Sequence, residues 1–172
     1  MQQPAGPAEW HLAQLNVARA VAPLESPALA DFMGALDRIN ALAEQSDGFV
    51  WRLTGASGNA TDVRPADDPD LLVNLTVWRS AEALFDFTYR TAHVELMRRR
   101  RDWFEAPAEA YLVLWWIPAG HVPSVDEALE RLAHLRAHGP TAQAFTFKRR
   151  FPPPGGAAAP DDMEPERYCG PM

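Results

Sequence analysis

The chain has 172 residues, 47% of them hydrophobic and 23% charged, a balance that suits one globular domain and excludes a fibrous or wholly disordered chain. Its 23 acidic residues outnumber 16 basic ones, and the resulting charge of −7 opposes capture by nucleic acid or an anionic membrane surface. No basic, apolar leader opens the sequence and no apolar run reaches the roughly 18 residues of a membrane helix, so a cytoplasmic protein without membrane contact is expected.

Residues 1–9 read as a flexible N-terminus. Apolar and polar residues then alternate roughly from Trp10 to Val17, which suits a strand. Ser26-Pro27 opens a helix that runs to Gln45, with serine as N-cap and an apolar stripe of Leu29, Phe32, Leu36, Ile39 and Ala43. Asp47-Gly48 ends it, Phe49 to Thr54 forms a second strand, and a polar loop leads through Pro69 to a third, Leu71 to Trp78. Ser80 caps one long helix to about Phe104, whose inward stripe holds Leu84, Tyr89, His93, Leu96, Arg100 and Trp103. Ala110 to Ile117 is a fourth strand, Ser124 to His138 a helix closed by Gly139-Pro140, and Ala144 to Arg149 a short fifth strand. From Pro152 onward a Pro/Gly-rich stretch with four acids and one base predicts a disordered tail, which leaves residues 10–151 as the domain.

The order β-α-β-β-α-β with a late helix and strand predicts a ferredoxin-like α+β fold, a four-stranded antiparallel sheet with helices on one face. Bulky apolar side chains on the other face then call for a second copy, sheet against sheet, and so for a homodimer. Sequence motifs remove several chemistries. The single cysteine, Cys169, cannot form an internal disulfide, Lys148 is the only lysine open to Schiff-base chemistry, and no nucleophile elbow, GxGxxG or phosphate-binding loop occurs. His134 and His138 have metal-ligand spacing without a third ligand nearby, so no metal is expected.

Several segments carry a resemblance: Gly48 to Leu53, Asn74 to Ser80, His93, Arg100 to Phe104, the stretch Trp115-Trp116-Ile117-Pro118-Ala119-Gly120-His121, and Gly139-Pro140-Thr141 with Ala144 to Phe147. Together they resemble the family catalogued as domain of unknown function 3291. The resemblance implies a dimeric α+β barrel, within a superfamily that also holds antibiotic-biosynthesis monooxygenases, polyketide cyclases and haem-handling enzymes. It leaves the chemistry open.

In such an architecture a pocket forms between the sheet and its helices, with aromatic walls suited to a small molecule. The candidate catalytic residues are Tyr89, His93 and Arg100; those expected to touch substrate are Trp51, Arg52, Trp78, Trp103, Trp116 and His121. His93 offers an imidazole able to move a proton near neutral pH, and a satisfied core histidine is the competing role. Arg98 to Arg101 spans most of a helical circumference, so one of the four must turn inward, and Arg100 is assigned that place. Arg52 has Glu95, Asp102 or a substrate anion as candidate partners, and His121 either caps the third helix or lines the pocket mouth. Trp115 and Trp116, adjacent in a strand, point to opposite faces. The function expected is cofactor-independent oxygenation, cyclisation or isomerisation of an aromatic or polyketide-like metabolite. A non-catalytic small-molecule binder and a haem-binding protein, with His93 or His121 as axial ligand, are the alternatives.

Overall fold

The structure, a computed structural model, describes residues 9–157. Strands β1 (Trp10–Ala18), β2 (Phe49–Arg52), β3 (Leu72–Trp78) and β4 (Leu112–Pro118) form one antiparallel sheet in the order β2-β3-β1-β4, the ferredoxin-like α+β arrangement the sequence predicts. Between them lie α1 (Ala30–Gln45), α2 (Ala81–Arg90), α3 (His93–Arg98) and α4 (Arg100–Trp103), and α5 (Val125–His138) follows β4.

Strand alternation sends Ala13, Leu15 and Val17, with Val73, Leu75, Val77, Val113, Trp115 and Ile117, to one face of the sheet. There they pack against Ala128, Leu132 and Leu135 of α5, and every strand residue of this set is at most 5% exposed. Leu12, Trp78 and Leu114 point the other way and pack against Ile39 and Ala43 of α1 and Leu84, Phe85 and Phe87 of α2. Helices therefore cover both faces, a correction to the one-sided arrangement. The apolar face assigned to a second copy is removed from water within one chain by α5, so it supplies no reason to pair sheet against sheet.

Local chemistry explains where the elements begin and end. The Ser124 hydroxyl accepts the Glu127 N–H at 3.1 Å, and Gly139, at φ +70°, donates to the Leu135 carbonyl at 2.8 Å and closes α5. Gly48 adopts φ +82° in the α1–β2 turn, where a Cβ would lie 2.5 Å from that of Ala83. Ser26 departs from expectation: a 3-10 turn over Pro27–Leu29 precedes α1, and the serine hydroxyl is buried with no hydrogen-bond partner among the described residues.

Two further corrections concern the second half. The single helix from Ser80 to Phe104 is broken into α2, α3 and α4. Ser80 does cap α2, accepting from the Ala83 N–H at 3.1 Å. At Thr91, however, the backbone turns extended, and the threonine hydroxyl donates to the Phe87 carbonyl at 2.5 Å while accepting the His93 N–H at 3.2 Å. The side chain thereby takes over backbone partners that a continuous helix would use. Residues Ala144 to Arg149 form no strand; Phe145 makes one two-bond bridge to Leu114, at 2.8 Å each way, and stops there. Phe151, the last residue before the predicted tail, accepts the Trp116 indole N–H at 2.8 Å through its carbonyl; of the tail, residues 158–172, Cys169 among them, lie outside the described residues.

Candidate functional site

The sheet face beneath α1 and α2 changes character along its length. Leu12 and Trp78 fill the space under the helices at one end, whereas Gln14, Asn16, Asn74 and Thr76 stand on the remainder and leave a cavity of about 250 Å³ above them. In the β1–β3 register Gln14 faces Thr76 and Asn16 faces Asn74, so the four polar side chains meet pairwise. They form a chain of hydrogen bonds. The Trp78 indole donates to the Thr76 hydroxyl (3.0 Å), which donates to Gln14 Oε1 (2.8 Å); the Gln14 and Asn74 amides both donate to Asn16 Oδ1 (2.8 Å each). With its oxygen doubly engaged, Asn16 keeps its Nδ2 hydrogens uncommitted among the described residues.

Apolar and aromatic groups form the walls, among them Phe32, Leu36, Phe87, Tyr89, Leu96 and Trp103. Asn59, Ala60 and Thr61 close one side. Their loop is ordered by its own side chains: Asn59 Oδ1 accepts from the N–H and hydroxyl of Thr61, and the Gly55 N–H reaches the Asn59 carbonyl at 2.8 Å.

Of the residues singled out in the sequence, Tyr89, His93, Arg100, Arg52 and Trp103 line this cavity. The broken helix still brings Tyr89, His93 and Arg100 to it, by a path with two bends in place of a straight stripe. His93 Nδ1 lies 3.3 Å from the Thr88 carbonyl oxygen and so carries the proton, and its ring packs 4.9 Å from that of Phe87. Burial pushes the imidazole below its ordinary pKa, against the Thr88 carbonyl, which favours the charged form. A neutral ring with Nε2 as acceptor results, and no partner holds that nitrogen among the described residues.

The arginine run divides as expected. Arg98 pairs with Glu95 at 3.0 Å, Arg99 reaches Asp31 (3.0 Å) and Asp102 (3.2 Å), and Arg100 turns to the cavity. Arg100 donates only a long bond, 3.4 Å, to the Val17 carbonyl and lies 4.3 Å from the Tyr111 ring centroid and 5.4 Å from that of Phe104. Arg52 pairs with neither Glu95 nor Asp102; its Nε donates to Glu44 at 2.7 Å and its Nη1 to the Gly58 carbonyl at 3.0 Å.

Four expected contacts are not among the cavity-lining residues. Trp51 points to the α5 face, Trp78 lies beside the floor stacked on Phe87 at 5.1 Å, and Trp116 packs beside Phe145. His121 sits at the start of α5, where its Nε2 is 2.7 Å from Glu127 Oε2. Partial burial raises the Glu127 carboxyl, but the bonds from His121 and from the Trp115 indole (3.1 Å) outweigh it and hold the group below its ordinary range. His121 thus serves the helix and not the pocket mouth. Trp115 is the member of the pair that faces α5 and Trp116 the one that faces α1 and α2. The rings of His134 and His138 lie 4.5 Å apart, tilted by 47°, and among the described residues no group of three or more His, Cys, Asp or Glu side chains is arranged to hold a metal.

The polar floor was missed from sequence. Its signal was the spacing Gln14-x-Asn16 and Asn74-x-Thr76 in strands that pair with each other, a pattern that also describes a solvated face. Gln14 at 5% and Thr76 at 8% exposure are shut off from water, Asn16 is half-buried, and Asn74 at the far end is exposed.

No curated protein matches the chain. Solved structures with some likeness are distant: SnoaB, a cofactor-independent oxygenase from Streptomyces nogalater, is 15% identical over 65% of this chain and 95% of that one, with a TM-score of 0.43. A conserved protein from Methanosarcina mazei Go1 shows 11% identity over 64% and 93%, with a TM-score of 0.45. Rv0793 from Mycobacterium tuberculosis shows 16% over 66% and 99%, also at 0.45. Likeness this low leaves the chemistry to be argued from the cavity itself. The family described as Domain of unknown function (DUF3291) matches residues 11–161, nearly the whole sequence, and the chain belongs to that family.

Proposed function

We propose that the chain is a small-molecule enzyme that moves a proton within this cavity, in cofactor-independent oxygenation, cyclisation or isomerisation of an aromatic or polyketide-like metabolite. The observation that carries the reading is the state of His93: Nδ1 is held by the Thr88 carbonyl and Nε2 is the lone basic nitrogen on an aromatic cavity wall. A carbon acid bound there loses its proton to Nε2. The charge left on the substrate oxygen meets Arg100 and the uncommitted Asn16 amide, groups set in place before the reaction. Tyr89, against Phe85 at 4.7 Å and Phe147 at 5.7 Å, shapes the wall beside them.

Proton removal is common to all three reaction types, so the test measures that step alone. Purified protein is incubated in deuterium oxide with anthrone, whose methylene is an acidic carbon between two aryl rings. Exchange faster than in buffer is expected, falling about 10²–10⁴-fold in His93→Gln. Anthrone binding without accelerated exchange would replace the enzyme by a non-catalytic binding protein.

A further inference from the structure

Arg100 is out of keeping with the rest of the molecule. The chain carries a net −7, and the neighbours of Arg100 in sequence, Arg98 and Arg99, each hold carboxylates. Arg52, the other arginine lining the cavity, is matched by Glu44. Arg100 meets no carboxylate among the described residues, and no aspartate or glutamate is among the residues that line the cavity. Its Nε is buried without a hydrogen-bond partner among them, and its one hydrogen bond there is the 3.4 Å contact to the Val17 carbonyl. A guanidinium so withdrawn from water and so poorly paired is costly unless something completes it.

The surroundings fix what completes it. Tyr111 and Phe104 lie against the guanidinium, and Arg100 lines the cavity with N–H donors as its only hydrogen-bonding side-chain groups. A planar fork of donors matches a carboxylate, two N–H groups to two oxygens. One uncompensated cation, with no glycine-rich turn beside it, suits a single negative charge and not a phosphate. Beyond it the cavity is walled by Phe32, Trp103 and Phe87, surfaces that take a flat ring.

We propose that the cavity binds planar aromatic monocarboxylates, with the ligand carboxylate seated on Arg100 and the ring system between the aromatic walls. This rests on the reading of the cavity as a small-molecule site and names the substrate class. The ligand's charge is then present before any reaction, so Arg100 is a binding residue, and charge that builds during proton removal falls to the Asn16 amide.

The test compares two probes of nearly the same shape, 2-naphthoate and neutral 2-naphthamide, by calorimetry on the full chain. The wild type is expected to prefer the naphthoate by at least about tenfold, the scale of one charge-assisted pair. In Arg100→Met that preference disappears, and Arg100→Lys keeps part of it. Equal affinities in the wild type, or tighter binding of the amide, overturn the anion site while leaving the small-molecule reading intact. If neither probe binds, both fall. The wild-type comparison needs no variant to fold.

Discussion

Exchanging His93 for glutamine tests the buried neutral imidazole without any substrate. The glutamine amide can still donate toward the Thr88 carbonyl, now 3.3 Å from Nδ1, and the backbone bond from residue 93 to the Thr91 hydroxyl is untouched. What is lost is the ring contact with Phe87 at 4.9 Å and the titrating nitrogen. The aromatic contact is worth about 0.5–1.5 kcal/mol, so the variant should be less stable by about 1 kcal/mol at neutral pH. For a domain of this size that is a Tm shift of roughly 2–4 °C. The pH dependence is the sharper readout. Burial lowers the pKa of His93 in the folded chain, so the unfolded chain takes up the proton first as pH falls below about 6.5. Stability therefore drops between that point and the lower folded pKa, by up to about 1.4 kcal/mol per pH unit, and above about 6.5 the group contributes no slope. Glutamine cannot titrate. Urea unfolding of both proteins at about pH 7.5 and about pH 5.5 cancels the other histidines by difference, and the wild-type advantage should shrink or reverse at the lower pH. An equal loss of stability in both proteins would refute the buried, neutral state on which the proton transfer depends.

Ser124→Ala should cost about 1 kcal/mol in urea unfolding, because it removes the bond to the Glu127 N–H, whereas Ser26→Ala should stay within about 0.5 kcal/mol since that hydroxyl caps nothing. Thr76→Val leaves the buried Trp78 indole N–H and Gln14 Oε1 without their partner, and a loss of about 1–3 kcal/mol is expected; near-neutral behaviour would mean the floor network repairs itself. Sedimentation equilibrium tests the homodimer expected from the sequence: because α5 covers the apolar sheet face, a mass of twice 19.1 kDa would place the pairing on a different surface, and 19.1 kDa would remove it.

The elements whose ends are written in local chemistry were legible. Ser124, Glu127 and Gly139 delimit α5 as their residue types demand, and the four strands follow their alternation. The bend at Thr91 was not, because no glycine or proline marks it and the threonine acts through bonds to Phe87 and His93 that exist only once the turn has formed. Face assignments failed for a related reason. Alternation says that Trp115 and Trp116 oppose each other, but which face receives α5 is decided by packing across the sheet, and that packing keeps Trp51, Trp78 and Trp116 out of the cavity lining. Helical spacing did converge Tyr89, His93 and Arg100, since the bends preserve their side even as they alter their path. The polar floor needed the β1–β3 register, which single-strand patterns do not contain.

The wall formed by α3 and α4 is built unlike the floor it faces. No side chain of α3 is wholly shut off from water, and an exposed ion pair from its C-cap, Arg99 to Asp31 on α1, is worth about 0–1 kcal/mol. The strands beneath are anchored by side chains wholly shut off from water, such as Leu15, Leu75 and Val113. Local opening of the wall therefore costs far less than disturbing the sheet. Added salt, which screens the Arg99–Asp31 pair, is expected to hasten ligand exchange. Traffic and recognition therefore meet in one wall, because His93 and Arg100, the residues proposed to act on a ligand, stand on the segment that yields.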